Sequence, residues 1–375
     1  MAAALLRLQP KPFLLPRPLA LLYPTTILPA SFPWRTALQL GAPGWSLPPL
    51  WAKEGAQGNA KKENSETHLD SKTIKIMTYN VWSRGILQGL RMYALGDLIQ
   101  RHNPDLVCLQ EVTPDIQNYL KRSCASWQEY ECVSPDEEDV ERHRYYCLLF
   151  VYLRNMIRLQ MSKMPVNSSE LIYWTKPKGG RGLYTVYVTI GGGKNLVLAT
   201  THLEGRVVRY FKPGRIHSKR TKKQRKEERL RKNEKRRAQA EACRRLLPAH
   251  PNVILCGDMN WDDRVDGSFP LLDGFIDPWI VLKPGENGYT YDTEANAMLA
   301  AIAEHNLVKR QLQGRLDRFF CKLEDFKIEN IEIIGKEAIA LDKHLIIHET
   351  PLLPSDHFGL VLTITLRSNG SANSN

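Results

Sequence analysis

No acidic residue precedes Glu54, no two cysteines form a CxxC pair, no segment repeats, and every early apolar run is short. Each lack excludes something. The seven cysteines, at 108, 124, 132, 147, 243, 256 and 321, are odd in number and without zinc spacing, which argues against a disulfide framework or a zinc module. They read as reduced, buried small hydrophobes of an intracellular chain. The apolar runs near the start are cut by Pro16, Arg17, Pro18 and Pro24, whereas a membrane helix needs about 20 residues. Neither a transmembrane span nor a secretory signal is expected, and the partners include no membrane. The acid-free leader, residues 1–53, places Arg7, Lys11, Arg17, Arg35 and Lys53 among Ala, Leu, Pro, Ser and Thr. An organellar transit peptide, bound for plastid or mitochondrion, has that composition; so does a proline-rich tail with no address.

What is present is the composition of a soluble globular protein, 43% hydrophobic and 25% charged over 375 residues, which excludes collagen, coiled coil and wholesale disorder. The length fits one large α/β or two-layer β domain with extensions, or two small domains. The net charge of +12 is not spread evenly. Between Arg206 and Arg245 stand 18 basic and 4 acidic residues, a local +14, so the rest of the chain sums to −2. The basic character belongs to one segment.

Residues 54–72 read as a polar linker, the ordered domain as 73–367, and 368–375 as a flexible tail. Thr73 to Tyr79 alternates apolar and polar residues as a half-buried strand does, ending at Asn80. A helical pattern through Leu95, Leu98 and Ile99 stops at His102-Asn103-Pro104, because a residue before proline is pushed out of the α region. Leu106 to Leu109 is a buried strand ending at Gln110-Glu111. Leu183–Ile190 and Asn195–Thr201 form a hairpin around Gly191-Gly192-Gly193-Lys194, whose glycines accept the positive φ of a tight turn, and it delivers His202. Ala238 to Leu247 is helix-forming until Pro248. Val253 to Cys256 is another buried strand, ending at Gly257-Asp258-Met259-Asn260. Leu316 to Phe320 and Phe358 to Leu366 complete the strands, the second preceded by Ser355-Asp356-His357.

Taken singly, a polar residue at a strand end is a turn former. Here Asn80, Glu111, His202, Asp258, Asn260, Asp317, Asp356 and His357 all stand at or beside such ends, from which sheets point side chains into one cleft. The residue types suit phosphodiester hydrolysis. Hard oxygen ligands such as Glu111 favour Mg²⁺, with Mn²⁺ as the alternative ion. Asp258 and Asn260, at i and i+2 on one side of an extended segment, suit a base and a water positioner. His357 beside Asp356 would stay protonated and donate to the charge that develops on the phosphorus oxygens, with His202 acting from the opposite wall.

Thr78-Tyr79-Asn80, Leu109-Gln110-Glu111, Thr201-His202-Leu203-Glu204, Gly257-Asp258-Met259-Asn260 and Ser355-Asp356-His357, in this order, resemble the ordered motifs of the endonuclease/exonuclease/phosphatase superfamily of metal-dependent phosphoesterases. Tyr289 to Thr293, Arg315 to Phe320 and Leu353 to Leu360 are similar to the plant-type 5′-tyrosyl-DNA phosphodiesterases. The resemblance implies an α/β fold of four layers, two packed β-sheets flanked by helices, of the DNase I-like kind. It implies repair of DNA 5′ ends that bear a topoisomerase tyrosine, by hydrolysis of the phosphotyrosyl bond; action on tyrosine-linked RNA stays open. The nucleus and cytoplasm, and a monomer, go with it. Carried over by position, Glu111 binds the metal, and Asn80 contacts metal or scissile phosphate. Asp258 is the acid/base, Asn260 orients water or phosphate, and Asp356 with His357 stabilises the transition state. Asp317 matches a buried supporting aspartate. Gly205 stands in place of a serine, and Arg206 one place before an arginine, that grip the DNA end in the family. Trp261 and Trp279 are candidates to stack on that end, or core residues.

The sequence departs from the pattern in three places. Trp82 replaces a second acidic metal ligand, Asn167 to Lys178 stands where an apolar strand and turn belong, and Arg206 to Arg237 is an insert. The insert reads as a surface-exposed basic helix or a disordered arm, because like charges are not buried together; it would track a phosphate backbone, serve as a nuclear address, or be intronic sequence retained in the gene. Other superfamily chemistries stay open: abasic-site endonuclease, deadenylase, lipid or inositol phosphoesterase. From another class, a catalytically dead basic nucleic-acid-binding protein stays open too.

Overall fold

Alternating strands and apolar-striped helices build two sheets back to back. The computed structural model describes residues 73–84, 86–123, 130–133, 146–152, 166–174, 181–190, 193–206, 221–271, 273–305, 308, 311–340 and 350–367. The leader, the linker, the Gly191-Gly192 part of the hairpin turn, residues 207–220 of the basic segment and the tail lie outside them. One sheet has six strands: β1 (Thr73–Asn80), β2 (Leu106–Val112), β3 (Tyr130–Val133), β4 (Tyr146–Tyr152), β12 (Phe326–Ile334) and β13 (Gly359–Leu366). Their order across it is β12-β13-β1-β2-β4-β3. The other has five: β5 (Val166–Tyr173), β6 (Gly182–Ile190), β7 (Lys194–His202), β8 (Asn252–Asp258) and β11 (Asp317–Leu323), in the order β11-β8-β7-β6-β5. A two-stranded ribbon, β9 (Tyr291–Asp292) with β10 (Gln313–Gly314), lies beside them. β1 and β2 run parallel, as do β7 and β8, so all four end on the same side of their sheets.

The period of two decides what each face does. In β1, Met77 and Tyr79 face outward and pack with Met92, Leu95 and Ile99 of α1 (Gln88–His102) and with Ile116 and Leu120 of α2 (Pro114–Ser123). The even-numbered residues face the second sheet. Ile74, Ile76, Leu106, Cys108, Leu196, Leu198, Ile254, Cys256, Phe319, Cys321, Leu362 and Ile364 form the shared core between the sheets. On the far side Val197, Ala199, Val253 and Leu255 pack with Ala240 and Cys243 of α3 (Lys222–Leu246). Helices, sheet, sheet, helix: this is the four-layer arrangement that the resemblance implies. The small helices α4 (Asp263–Asp266), α5 (Pro278–Leu282) and α6 (Ala297–His305) fill the loops after β8 and before β11.

Two local expectations are corrected. Residues 167–173 do not replace a strand: Val166–Tyr173 is β5, an edge strand paired with β6, while residues 175–178 of that stretch lie outside the described residues. Ser168, Ser169 and Glu170 are exposed there, and an edge tolerates polar residues. The helix expected from Ala238 begins at Lys222 instead. Thr221 and Gln224 form a reciprocal cap, Gln224 N–H to Thr221 Oγ1 at 3.2 Å and Thr221 N–H to Gln224 Oε1 at 2.9 Å, which satisfies donors that the first turn leaves free. Part of the basic segment is therefore continuous with a helix of the fold.

Candidate active site

The inter-sheet parity that buries Ile76, Cys108, Leu198, Ile254 and Phe319 turns polar toward one edge of the sandwich. One layer up stand Thr78, Gln110 and Thr200, all buried, and Gln110 Nε2 donates to the hydroxyls of Thr78 at 3.0 Å and Thr200 at 3.1 Å. That bridge floors the cleft. At the rim the same parity presents Asn80, His202, Asp258 and Asp317, with His202 and Asp317 each in register with Asp258. Four strands thus deliver four polar side chains to one place although they are scattered over the sequence.

Asp258 is the centre. Its Oδ2 accepts from Asn80 Nδ2 at 2.9 Å and Asn260 Nδ2 at 3.2 Å, and lies 3.2 Å from His202 Nε2. Its Oδ1 accepts from the Asn260 N–H at 2.9 Å. Burial alone would raise its pKa, but His202, the charge of His357 and the Asn260 N–H hold the carboxyl far below its usual range. The strand reaches this geometry through Gly257, at φ 126°, where a Cβ would lie 2.1 Å from the Thr201 carbonyl. Only glycine lets β8 approach β7 so closely.

Across the cleft, His357 Nδ1 lies 2.9 Å from Asp317 Oδ2, both residues being buried. Burial would lower the imidazole pKa, but the charge and hydrogen bond of Asp317 outweigh it and raise it to about 10. The carboxylate that holds His357 is therefore Asp317, 40 residues away, and not the adjacent Asp356. Asp356 takes a weak contact from Ser355 Oγ at 3.4 Å, and burial pushes its carboxyl up to about 6. The flagged Tyr289 to Thr293 segment supports this wall. Thr290 Oγ1 accepts from the N–H groups of Leu316 and Asp317, its carbonyl accepts from Phe358 N–H, and the Tyr291 ring packs 4.8 Å from the His357 ring.

Glu111 follows the end of its strand's apolar run in the left-handed region, at φ 62°, as Asn260 does at 48°. Such a backbone is costly for glutamate, and strain of this kind gathers at functional sites. Ser83 holds the side chain by two donors to one oxygen, N–H to Oε2 at 3.0 Å and Oγ to Oε2 at 2.8 Å. Burial would raise its pKa, but His202, the Ser83 N–H and Arg181 outweigh it and lower it. An ionised carboxylate with a single oxygen committed fits a hard cation that keeps most of its waters. Asp258, Asp317 and His357 also place ligand atoms within 4.8 Å of one another. That trio does not fit a cation, because His357 Nδ1 is occupied by Asp317 and its ring is protonated.

The remaining expectations divide. Gly205 borders the cleft, where a Cβ would lie 3.9 Å from Asn260 Oδ1. Arg206 is spent on the rim: it donates to the carbonyls of Asn260 and Trp261 at 3.3 and 2.9 Å and lies 3.3 Å from Asp262 Oδ2. Neither tryptophan offers a face to DNA. Trp261 is buried, edge-on to Phe269, with Nε1 donating to the Gly267 carbonyl, and Trp279 is buried, donating to the Glu286 carbonyl. Trp82 is buried in an apolar cluster with Leu352, Leu353 and Phe358, under the Arg91 guanidinium 4.7 Å from the ring centre. Its position is thus turned away from the cleft.

Sequence reasoning missed three supports. Ser83 holds Glu111. Arg181 donates to the Leu203 carbonyl beside Gly205. Buried Arg91 donates to the carbonyls of Val81, Trp82, Arg84, Ile86 and Pro354, tying the loop after β1 to the loop before His357. A helix residue with no charge partner in sequence gives no signal for such a role.

Among known proteins, residues 77–357 match the Endonuclease/Exonuclease/phosphatase family. The chain is 28% identical over 311 residues to tyrosyl-DNA phosphodiesterase 2 of Mus musculus, covering 79% of this chain and 67% of that protein. Among solved structures, that of D. rerio TDP2 complexed with single strand DNA product aligns with a TM-score of 0.54 at 24% identity, over 78% of this chain and 99% of the other. An endonuclease/exonuclease/phosphatase family protein from Bacteroides thetaiotaomicron aligns with a TM-score of 0.53 at 13% identity, over 79% of this chain and 98% of the other.

Proposed function

The chain belongs to the endonuclease/exonuclease/phosphatase family, and from that premise we propose that it is a metal-dependent phosphodiesterase that hydrolyses the bond between a DNA 5′ phosphate and a tyrosine. The observation that carries the reading is the opposition of two charges across one cleft: Asp258 held ionised by Asn80, Asn260 and His202, and His357 held protonated by Asp317. The names of the relatives, one bound to single-strand DNA product, supply the substrate.

In the proposed reaction the scissile phosphate lies between the two walls. Asp258 takes a proton from a water that Asn260 helps to orient, and the oxygen attacks phosphorus opposite the tyrosine oxygen. Negative charge on the phosphorus oxygens then meets the imidazolium of His357, already in place and screened little by water. The P–O bond to tyrosine breaks, the departing phenolate takes a proton from solvent and Asp258 gives its own back to solvent, leaving a DNA 5′ phosphate and the tyrosine hydroxyl. A Mg²⁺ ion held by Glu111, with Asn80 beside it, would supply Lewis-acid polarisation of the phosphoryl group. Mn²⁺ has the same ligand preference.

The test is release of 5′-phosphorylated product from a 5′-phosphotyrosyl single-stranded oligonucleotide, with Mg²⁺, Mn²⁺ or EDTA. Asp258→Asn and His357→Ala are each expected to lower turnover by roughly 10²- to 10⁴-fold while the fold persists. Retained turnover in both variants overturns the assignment.

A further inference from the structure

The cleft does not use the leading half of α3, and its charges are placed with a period. Lys222, Arg225, Lys226, Arg229 and Lys232 recur at steps of three and four, so they share one helix face. The same face continues through Arg236, Ala240 and Cys243, which are buried against the body. Glu227 and Glu234 fall on the opposite side, and Glu228, three residues after Arg225 and four before Lys232, lies at the stripe's edge. The stripe is therefore one row of basic side chains, docked at its far end and free along its near end: from Lys222 to Arg231 no residue is buried, and Leu230 is half exposed.

The docked end is tied to the catalytic strand. Lys232 Nζ and Lys235 Nζ lie 3.4 and 2.7 Å from the Glu204 carboxylate, Arg236 Nη1 donates to the Glu204 carbonyl at 3.1 Å, and Gln239 Oε1 accepts from Glu204 N–H at 2.7 Å. Glu204 stands two residues after His202. From there the helix descends along β7 and β8, so everything before Lys232 stands above the rim onto which the strand ends open. At 1.5 Å per residue, Lys222 lies about 21 Å along the axis from Arg236.

Beyond the Thr221–Gln224 cap and the helix propensity of its residues, this overhang has no packing to hold it as a helix. It buries no apolar stripe, and its first turn holds Lys222, Lys223 and Arg225 with no acid, the wrong sign for the positive end of the helix dipole. A polyanion laid along the stripe removes both the mutual repulsion and the dipole mismatch.

We propose that the leading half of α3 is a second nucleic-acid contact, a basic rail for the sugar-phosphate backbone of the strand whose 5′ end enters the cleft. The proposal rests on the reading of the cleft given above for the identity of that strand. It makes the enzyme sensitive to how much DNA follows the tyrosine: a short oligonucleotide ends within the cleft, and a long one reaches the rail.

The experiment uses the full chain and a variant carrying Lys222→Gln, Arg225→Gln, Lys226→Gln and Arg229→Gln, a residue of similar helix propensity. Binding of a long single-stranded oligonucleotide is followed against salt, and hydrolysis of short and long 5′-phosphotyrosyl substrates is compared. Each single-strand phosphate contact contributes about 0.7 to the salt slope of log affinity. Loss of four is expected to reduce the slope by about 3 and to abolish the preference for the long substrate, with the short one turned over alike by both proteins. An unchanged slope and an unchanged length preference overturn the rail. So does loss of binding to anionic phospholipid vesicles with DNA affinity unaltered, which assigns the stripe to a membrane surface. If the unaltered chain fails to hydrolyse even the short substrate, the reading of the cleft falls, and the salt slope still decides the rail on its own.

Discussion

Charge is handled in opposite ways at the two ends of the β7 to α3 connection. In the cleft the acting charged groups are buried or half-buried and held by partners: Asp258 has four contacts, His357 has Asp317, and half-buried Glu111 has Ser83. On the leading half of α3 the charges are exposed and mostly of one sign. The contrast separates two uses of electrostatics. Groups that act on a bond must be fixed in orientation and protonation before substrate arrives, and burial with paired hydrogen bonds does that. Groups that attract a polymer need only reach it, and exposure leaves them able to follow its path.

Arg236 is where the two regimes meet, and breaking it should have the largest effect on stability. It is a basic residue of the helix, yet it is buried, with its Nη2 at 2.8 and 2.9 Å from the two oxygens of Asp266. Arg236→Met leaves the buried Asp266 carboxylate with no charge partner at hydrogen-bond distance and only the Asp262 N–H donating to it at 3.0 Å, and a loss of about 3 to 5 kcal/mol is expected in urea unfolding. Gly257→Ala attacks the cleft from its backbone. The methyl group has no room beside the Thr201 carbonyl, so β8 must shift and carry Asp258 with it. We expect a lowered melting temperature and turnover reduced together, whereas Asp258→Asn, which keeps the strand spacing, lowers turnover by far more than it lowers melting.

On the cleft side of the contrast, pH acts through His357. His357 has a folded pKa of about 10 against an ordinary 6.5. Its pairing with Asp317 therefore stabilises the fold fully below 6.5, and that contribution is lost as pH rises through 10. Melting temperature should fall over this window, and His357→Gln should flatten the fall; an identical fall in the variant counts against the pair. The smallest effect is expected on the helix. Lys222→Gln and Arg225→Gln touch nothing buried, so melting at moderate salt should move by no more than about 1 °C.

Much of the cleft was legible because each site residue ends a run of apolar residues, and the parity of the strand shows which way it points. Asn80, His202 and Asp258 come from that rule directly. The partner of His357 was not legible, because Asp317 reaches it only through the register of β11 on β8, and Asp356 beside it is the nearer carboxylate in sequence. The fates of Trp82, Trp261 and Trp279 were hidden likewise: an aromatic beside a functional motif packs or stacks according to neighbours far along the chain. The start of α3 lies in the pairing of Thr221 with Gln224, two polar residues that stand out little within so basic a run.

The left-handed backbone of Glu111 sets two selective pressures against each other at one position. Glycine or asparagine at 111 would relax the backbone and remove the carboxylate, so variants chosen for heat resistance alone would drift toward an inert protein. A family member adapted to high temperature is expected to gain its margin elsewhere, in the helices and in the shared core, and to leave this position strained.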